Sequence, residues 1–244
     1  MTGFTMGHLL GGRIHHMQPA AGFRTGIEPV LVAASIGARA GQRVLEGGTG
    51  SGAALLCLLT RVPGLSGLGI EIDPGQADLA ARNAAANGLG GMQVVHGDLT
   101  ITAPAGSFDH AFANPPYHAA GGTASPDAAR ERAKRGSPGL LGDWAAALAR
   151  ALRPRGTLTF ILPSAALPFG IAAMAAAGAP VDAILPLWPK PGVAAKLSII
   201  RGIKSGRGAL RLLPGLQLHG PDGAFTAEAD AILRGGGPLA LTDR

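Results

Sequence analysis

The chain has 244 residues, 47% of them hydrophobic and only 4% aromatic, and carries a formal net charge of +6. That length buries one sizeable core. The 39 glycines and 19 prolines lie within apolar segments, which excludes a disordered or collagen-like chain, and the single cysteine, Cys57, excludes an intramolecular disulfide framework. Cys57 lies in the apolar run AALLCLLTRV and reads as a buried core thiol, as expected in a reducing compartment. The opening MTGFTMGHLLGGRIHH lacks a basic start followed by an apolar run, so no signal peptide is read. ALPFGIAAMAAAGAP is too short and too broken to span a bilayer. The expectation is a cytoplasmic protein with no membrane partner.

Residues 1–41 precede the first clear strand. From residue 42 onward, strand and helix patterns alternate. QRVLEGG reads as a strand, SGAALLCLLTRV as a helix and SGLGIEID as a strand. PGQADLAARNAAANG reads as a helix with proline near its start and glycine at its end. MQVVHGD and FDHAFANPP are strands. GDWAAALARALRPRG is a helix stopped by Pro154 and Gly156, TLTFILP a strand and LPFGIAAMAAAG a helix. VDAILPLW and AKLSIIRGI close the series as strands. Alternation of this kind predicts an α/β fold, a mostly parallel sheet with helices on both faces. The connection WPKPGVAA is too short for a parallel crossover, so the last strand pair should be antiparallel. A single domain is expected, divided into a leader or lid (1–41), a core (42–204) and a C-terminal extension (205–244).

The first strand ends in GGTGSG. Glycine there lets a ligand approach the backbone, and the helix that follows presents its N-terminus. Gly48, Gly50 and Ala53 match the G-x-G-x-x-A spacing. Glu71 lies about twenty residues on, where a ribose-binding acid belongs. An adenosine-containing cofactor follows, and on spacing alone an NAD-dependent oxidoreductase is one reading. Glu46, just before the loop, would repel a pyrophosphate but suits an ammonium, which favours S-adenosylmethionine. Asp98 ends the third strand and suits an adenine amine. Three acids at the C-terminal ends of consecutive strands share the edge where open α/β sheets bind ligands.

The fourth strand brings FANPPYH to that edge. Two prolines end the strand and hold Asn114 extended. The Asn114 side-chain oxygen and the Pro115 carbonyl are acceptors for the N–H groups of a conjugated exocyclic amine. Accepting those hydrogens localises the amine's lone pair for attack on a sulfonium methyl. Tyr117 offers a face on which a planar base stacks. A base in folded nucleic acid must first be extruded. The chemistry needs no metal and no thiol.

VLEGGTGSG, GIEID, VVHGD and FANPPY together resemble the class I S-adenosylmethionine-dependent methyltransferases, in particular the amino-methylating group with an Asn-Pro-Pro-Tyr motif. The resemblance implies a Rossmann-like, seven-stranded sheet with an antiparallel last strand. It also implies a cofactor site of Glu46, Gly48, Thr49, Gly50, Gly52, Glu71, Ile72, Asp98, Leu99 and Asn114, and a catalytic set of Asn114, Pro115, Pro116 and Tyr117. One departure is Glu46, where many members carry Asp. The leader LLGGRIHHMQPAAGFRTGIEPVLVAASI is similar to that of the bacterial tRNA(Val) adenine-N6-methyltransferase family. By that likeness Gln18, Arg24 and Thr25 lie near the cofactor or target base, and the partner is tRNA.

Residues 130–211 hold thirteen Lys or Arg against three acids, a bias that suits a polyanion. Arg130, Arg132, Lys134 and Arg135 follow the Asn-Pro-Pro-Tyr motif as a phosphate-gripping loop, and Lys190, Lys196 and Arg201 flank the last strand pair. His15-His16 lacks further ligands at metal spacing. Competing readings are a protein glutamine N5-methyltransferase, an rRNA guanine-N2 methyltransferase, the NAD-dependent oxidoreductase and a catalytically silent RNA-binding module. The short leader counts against the first of these. The missing phenylalanine after Asn-Pro-Pro counts against the second, and the unexplained Asn-Pro-Pro-Tyr against the third.

Overall fold

The computed structural model describes residues 3–20, 25–116 and 139–241. Eleven strands and seven α-helices follow one another among these residues. A hairpin of β1 (Phe4–Leu9) and β2 (Ile14–Pro19) comes first, then α1 (Glu28–Ser35). The alternating core runs β3 (Arg43–Gly47), α2 (Ala53–Arg61), β4 (Ser66–Glu71), α3 (Pro74–Ala86), β5 (Met92–His96), the single turn α4 (Leu99–Thr102) and β6 (Phe108–Ala113). After it come α5 (Gly139–Ala151), β7 (Leu152–Pro163), α6 (Leu167–Ala176), β8 (Val181–Trp188) and β9 (Leu197–Ile203). The tail supplies β10 (Arg211–Leu212), β11 (Leu216–Gln217) and α7 (Ala227–Leu233).

The large sheet has the order β10-β8-β9-β7-β6-β3-β4-β5, with β11 also on β8. Strands β3 to β8 run the same way and β9 alone is antiparallel, against both β7 and β8. The short 189–196 connection allows nothing else. The seven strands expected are β3 to β9, and the tail extends the sheet to nine by pairing two short strands parallel to β8.

Each strand alternates its side chains between two cores. Val44, Phe112, Ile161 and Ile199 face the layer of α1, α2, α3 and α7, while Leu45, Ala111, Phe160 and Ile200 face that of α4, α5 and α6. Helix α2 is buried at every position from Ala53 to Leu59, so it is apolar all round, and Cys57 is 2% exposed within it. Helix α3 is begun by Asp73, whose side chain accepts from Gln76 N at 2.9 Å, and Pro74 takes its first position.

One expectation is corrected. The helix before β7 stops at Ala151, and β7 follows at once with Leu152 paired to Phe108. Proline at 154 forces Arg153 out of the helical region, and Arg153 is then held by Asp109 at 2.5 Å. The leader opens as a hairpin fastened to α3. Asn87 Oδ1 accepts from His15 N (2.9 Å) while Asn87 Nδ2 donates to His15 O (2.7 Å). One helical turn earlier, Asn83 does the same for Met17 N and O, both at 2.9 Å. An i, i+4 pair on a helix thus matches an i, i+2 pair on a strand edge, and the amides satisfy backbone groups that β2 would otherwise leave open.

Candidate active site

The parallel strands β3, β4, β5 and β6 all end at one edge, and Glu46, the glycine loop, Glu71, Asp98 and Asn114 collect there. Gly47 pairs with Ile70 on one side and Ala113 on the other, so the glycine loop lies between the strand ends that carry Glu71 and Asn114. Glu71 pairs with His96, which brings Asp98 beside Ile72.

The glycines of the loop differ in what surrounds them. Three of the four have positive φ: Gly48 +64°, Gly50 +55° and Gly52 +88°. A Cβ on Gly48 would lie 2.5 Å from the Trp144 ring of α5, and one on Gly52 would meet Met92 and Ala80 at 2.9 and 3.2 Å. Around Gly50 nothing lies within 4 Å. Gly48 therefore makes room for a tryptophan and Gly52 for helix packing, whereas Gly50 leaves open space before its backbone.

Glu71 is buried and splits its carboxylate between two backbone donors, Gly50 N (2.8 Å) and Asp73 N (2.9 Å). It ties the loop to the end of β4 and keeps further lone pairs for hydroxyl groups. Ile72 beside it is 55% exposed, an apolar surface beside an acid. Asp98 is exposed; its Oδ1 accepts from Thr100 N and Oγ1 and begins α4. Leu99 turns its side chain into the core against Gly47, so only its backbone could meet a ligand.

Glu46 lies under the loop rather than over it. It is 4% exposed and accepts from Thr49 Oγ1 at 2.5 Å, and Thr49 is itself buried against Gly69. Burial raises the Glu46 pKa to about 8; the bonds from Thr49 and the Leu55 backbone oppose the rise, and the charge of Glu71 adds to it. A folded pKa above the unfolded value stabilises the protein fully below about 4.5 and loses that contribution as pH climbs to 8. Burial lowers His110 to about 4 and also lowers His16, so both histidines are neutral above pH 6.5 and leave the upper window to Glu46. In cofactor-free protein, the melting-temperature gap between wild type and Glu46→Gln should therefore shift against the wild type from pH 6.5 to 8. A gap constant across that range would show that Glu46 is already ionised.

Asn114 is exposed at the end of β6, its side-chain amide held by no described residue; Pro115 is buried and Pro116 half-buried. Tyr117, Arg24, Arg130, Arg132, Lys134 and Arg135 lie outside the described residues. Gln18 is 8% exposed, and its Oε1 accepts from Thr25 N at 3.1 Å, so this pair closes the hairpin onto the segment leading to α1. The hairpin reaches the glycine loop through His16, whose Nε2 lies 2.8 Å from Ser51 Oγ, and Asn83 Nδ2 donates to Ser51 O at 2.9 Å. The histidine pair thus serves this docking: His16 on Ser51, and His15 through its backbone on Asn87.

The basic excess is divided by the fold. Arg201 grips buried Asp182 through two nitrogens, at 3.0 and 2.5 Å, and Arg211 joins at 3.3 Å, so Arg201 is spent on the sheet and not on phosphate. Lys204 donates to Leu152 O, and Arg150 to Thr100 O. Lys190 and Lys196 remain exposed on the connection at the same edge as Asn114. Sequence reasoning missed Trp144 against the loop and Ile101, 82% exposed on α4. Trp144 is one of only two tryptophans, which was the available signal.

Residues 44–139 match a family model described as a methyltransferase domain. A release factor glutamine methyltransferase of Rhodospirillum rubrum is 48% identical over 77 residues, 32% of this chain and 24% of that protein. A tRNA1(Val) (adenine(37)-N6)-methyltransferase of Porphyromonas gingivalis is 33% identical over 156 residues, 60% of this chain and 61% of that protein. In each case the match spans less than two thirds of the relative's length. Among solved structures, a predicted O-methyltransferase of Agrobacterium tumefaciens superposes with a TM-score of 0.73 at 22% identity, over 87% of this chain and 98% of that one, which shows a shared fold.

Proposed function

We propose that this chain, which carries a class I S-adenosylmethionine-dependent methyltransferase domain, methylates the exocyclic N6 amine of an adenine in tRNA. The observation that carries the reading is the juxtaposition of an exposed Asn114 amide, held by no described residue at the end of β6, with the glycine loop at the end of adjacent β3. The residues present fit the cofactor: open space at Gly50, a buried carboxylate at Glu71, and an apolar side chain at Ile72 beside the exposed Asp98. Glu71 would hold the ribose hydroxyls, Asp98 the adenine amine and Ile72 a face of the ring.

S-adenosylmethionine supplies an electrophilic methyl group on a sulfonium. The chain's own part is to prepare the nucleophile. Asn114 Oδ1 and the Pro115 carbonyl accept the two N–H groups of the target amine, which draws its lone pair out of conjugation. Once the methyl is attached, the surplus proton passes to solvent water from the nitrogen these acceptors hold.

The choice of RNA over protein rests on exposed Lys190 and Lys196 at this edge and on the longer match to the adenine-N6 relative. The match to glutamine methyltransferases supports the second reading, since a carboxamide nitrogen poses the same chemical problem to Asn114. Transfer of labelled methyl to total tRNA, total rRNA and a protein lysate separates them. N6-methyladenosine in tRNA alone is the expected result, whereas label in glutamine would move the substrate to protein.

A further inference from the structure

The described surface has a second feature at the substrate edge, which the methyl-transfer chemistry does not use. Beyond β6 the sheet continues through β7 and β9 to β8, and β7 and β8 run on past the level of Ala113. Ala113 is opposite Phe160, whereas Pro163 and Leu187 are both opposite Leu197. These strands make a wall above Asn114, and Trp188 stands at its top. Three inter-strand spacings, about 14 Å, separate β8 from β6 across the sheet.

Behind the wall's crest is an open hollow of about 440 Å³ lined by Trp188, Lys190, Gly192, Val193, Ala194 and Gln217. Trp188 is 36% exposed, and its ring is fixed: Nε1 donates to Pro214 O at 3.0 Å, and a Cβ on Gly215 would lie 2.5 Å from that nitrogen. Its carbonyl accepts from Leu218 N at 2.8 Å where β11 joins β8. The ring's one polar atom is thus already bonded, so what it offers a ligand is its face. Lys190 begins the turn that rims the hollow, with Val193 N donating to Lys190 O at 3.2 Å, and no acid among the described residues lines it. Asp222, in the turn near Lys190, accepts from Ala224 N.

A rigid aromatic face and an ammonium in one hollow answer a base and a phosphate, and Gln217, whose Nε2 donates to His219 O at 3.1 Å, keeps its Oε1 acceptor for a base edge. We propose that this hollow is a second nucleotide subsite, which stacks a base of the single-stranded RNA a few nucleotides from the target adenine on Trp188 and holds its phosphate with Lys190. The subsite rests on the RNA reading above. It also gives the tail a role: β11 supplies Gln217 and the Gly215 turn fixes the ring.

The test is anisotropy of fluorescein-labelled, unmodified tRNA titrated with wild type, Trp188→Ala, Trp188→Phe and Lys190→Ala, with calorimetric S-adenosylmethionine affinity as the control for folding. Trp188→Ala should weaken tRNA binding roughly ten- to a hundredfold, the range for loss of one stacked base, and Trp188→Phe should recover most of it. Lys190→Ala lies on an exposed turn and should fold in any case; it should lower the salt slope of binding by about one. Wild type that methylates tRNA, with Trp188→Ala or Lys190→Ala binding it unchanged, overturns the subsite and leaves the RNA reading standing. Wild type that binds no tRNA and methylates a glutamine-bearing peptide overturns both.

Discussion

Asn114→Ala should lower the rate of methyl transfer on the order of 10²–10³-fold, the range for removing one hydrogen-bonding group that acts in the transition state. The substitution removes the acceptor while Pro115 and Pro116 keep the strand end rigid. Asn114 is exposed and its amide holds no described residue, so the fold loses little. S-adenosylmethionine affinity should change less than threefold, roughly 0.6 kcal/mol, because Glu71, Asp98 and the open face of Gly50 are untouched. Single-turnover rates at saturating cofactor, with calorimetry on the same preparations, separate the two quantities. A normal rate would sink the mechanism for amine and amide substrates alike. A lost rate with equally lost cofactor affinity would instead make Asn114 a cofactor residue.

The elements that position this site were legible because their signals are local. Asp73-Pro74 opens α3, and Gly88 and Gly178 follow the ends of α3 and α6 with positive φ. Runs such as VDAILPLW carry β8 without a break. The short 189–196 connection made β9 antiparallel before any coordinates were needed. What was not legible depends on partners far away in sequence. Nothing in FTMGHL marks a strand until Asn83 and Asn87, more than sixty residues on, hold its partner β2 to α3. β10 and β11 are two residues each and exist because β8 would otherwise present an open edge. Arg201 reads as a surface cation until Asp182 on the adjacent strand claims it. For the same reason composition could give the size of the basic excess but not its direction.

The glycine loop offers the sharpest separation between binding and folding. Gly50→Ala and Gly52→Ala both put a side chain at positive φ, a backbone cost of roughly 1–2 kcal/mol each. Beyond that cost they should part. The new methyl at 52 meets Met92 Cε at 2.9 Å and Ala80 Cβ at 3.2 Å, so Met92 must turn its terminal methyl aside and α3 must yield at Ala80. Overpacking of this kind costs typically 1–3 kcal/mol more. Gly52→Ala should therefore be the less stable protein, with much of its cofactor affinity kept wherever it is still folded. The methyl at 50 enters open space, so Gly50→Ala should lose only that backbone cost and melt above Gly52→Ala. The proposed cofactor site uses that space, and a methyl there would hold the cofactor away from the Glu71 carboxylate by about a van der Waals contact. Loss of one charged hydrogen bond, about 1.5–3 kcal/mol, would weaken S-adenosylmethionine roughly ten- to a hundredfold. Calorimetric titration and thermal melts on the two variants should thus give opposite orders of damage. If Gly50→Ala bound S-adenosylmethionine as wild type does, the open face of the loop would not be where the cofactor lies, and Glu71 would be left with the structural task of holding Gly50 and Asp73.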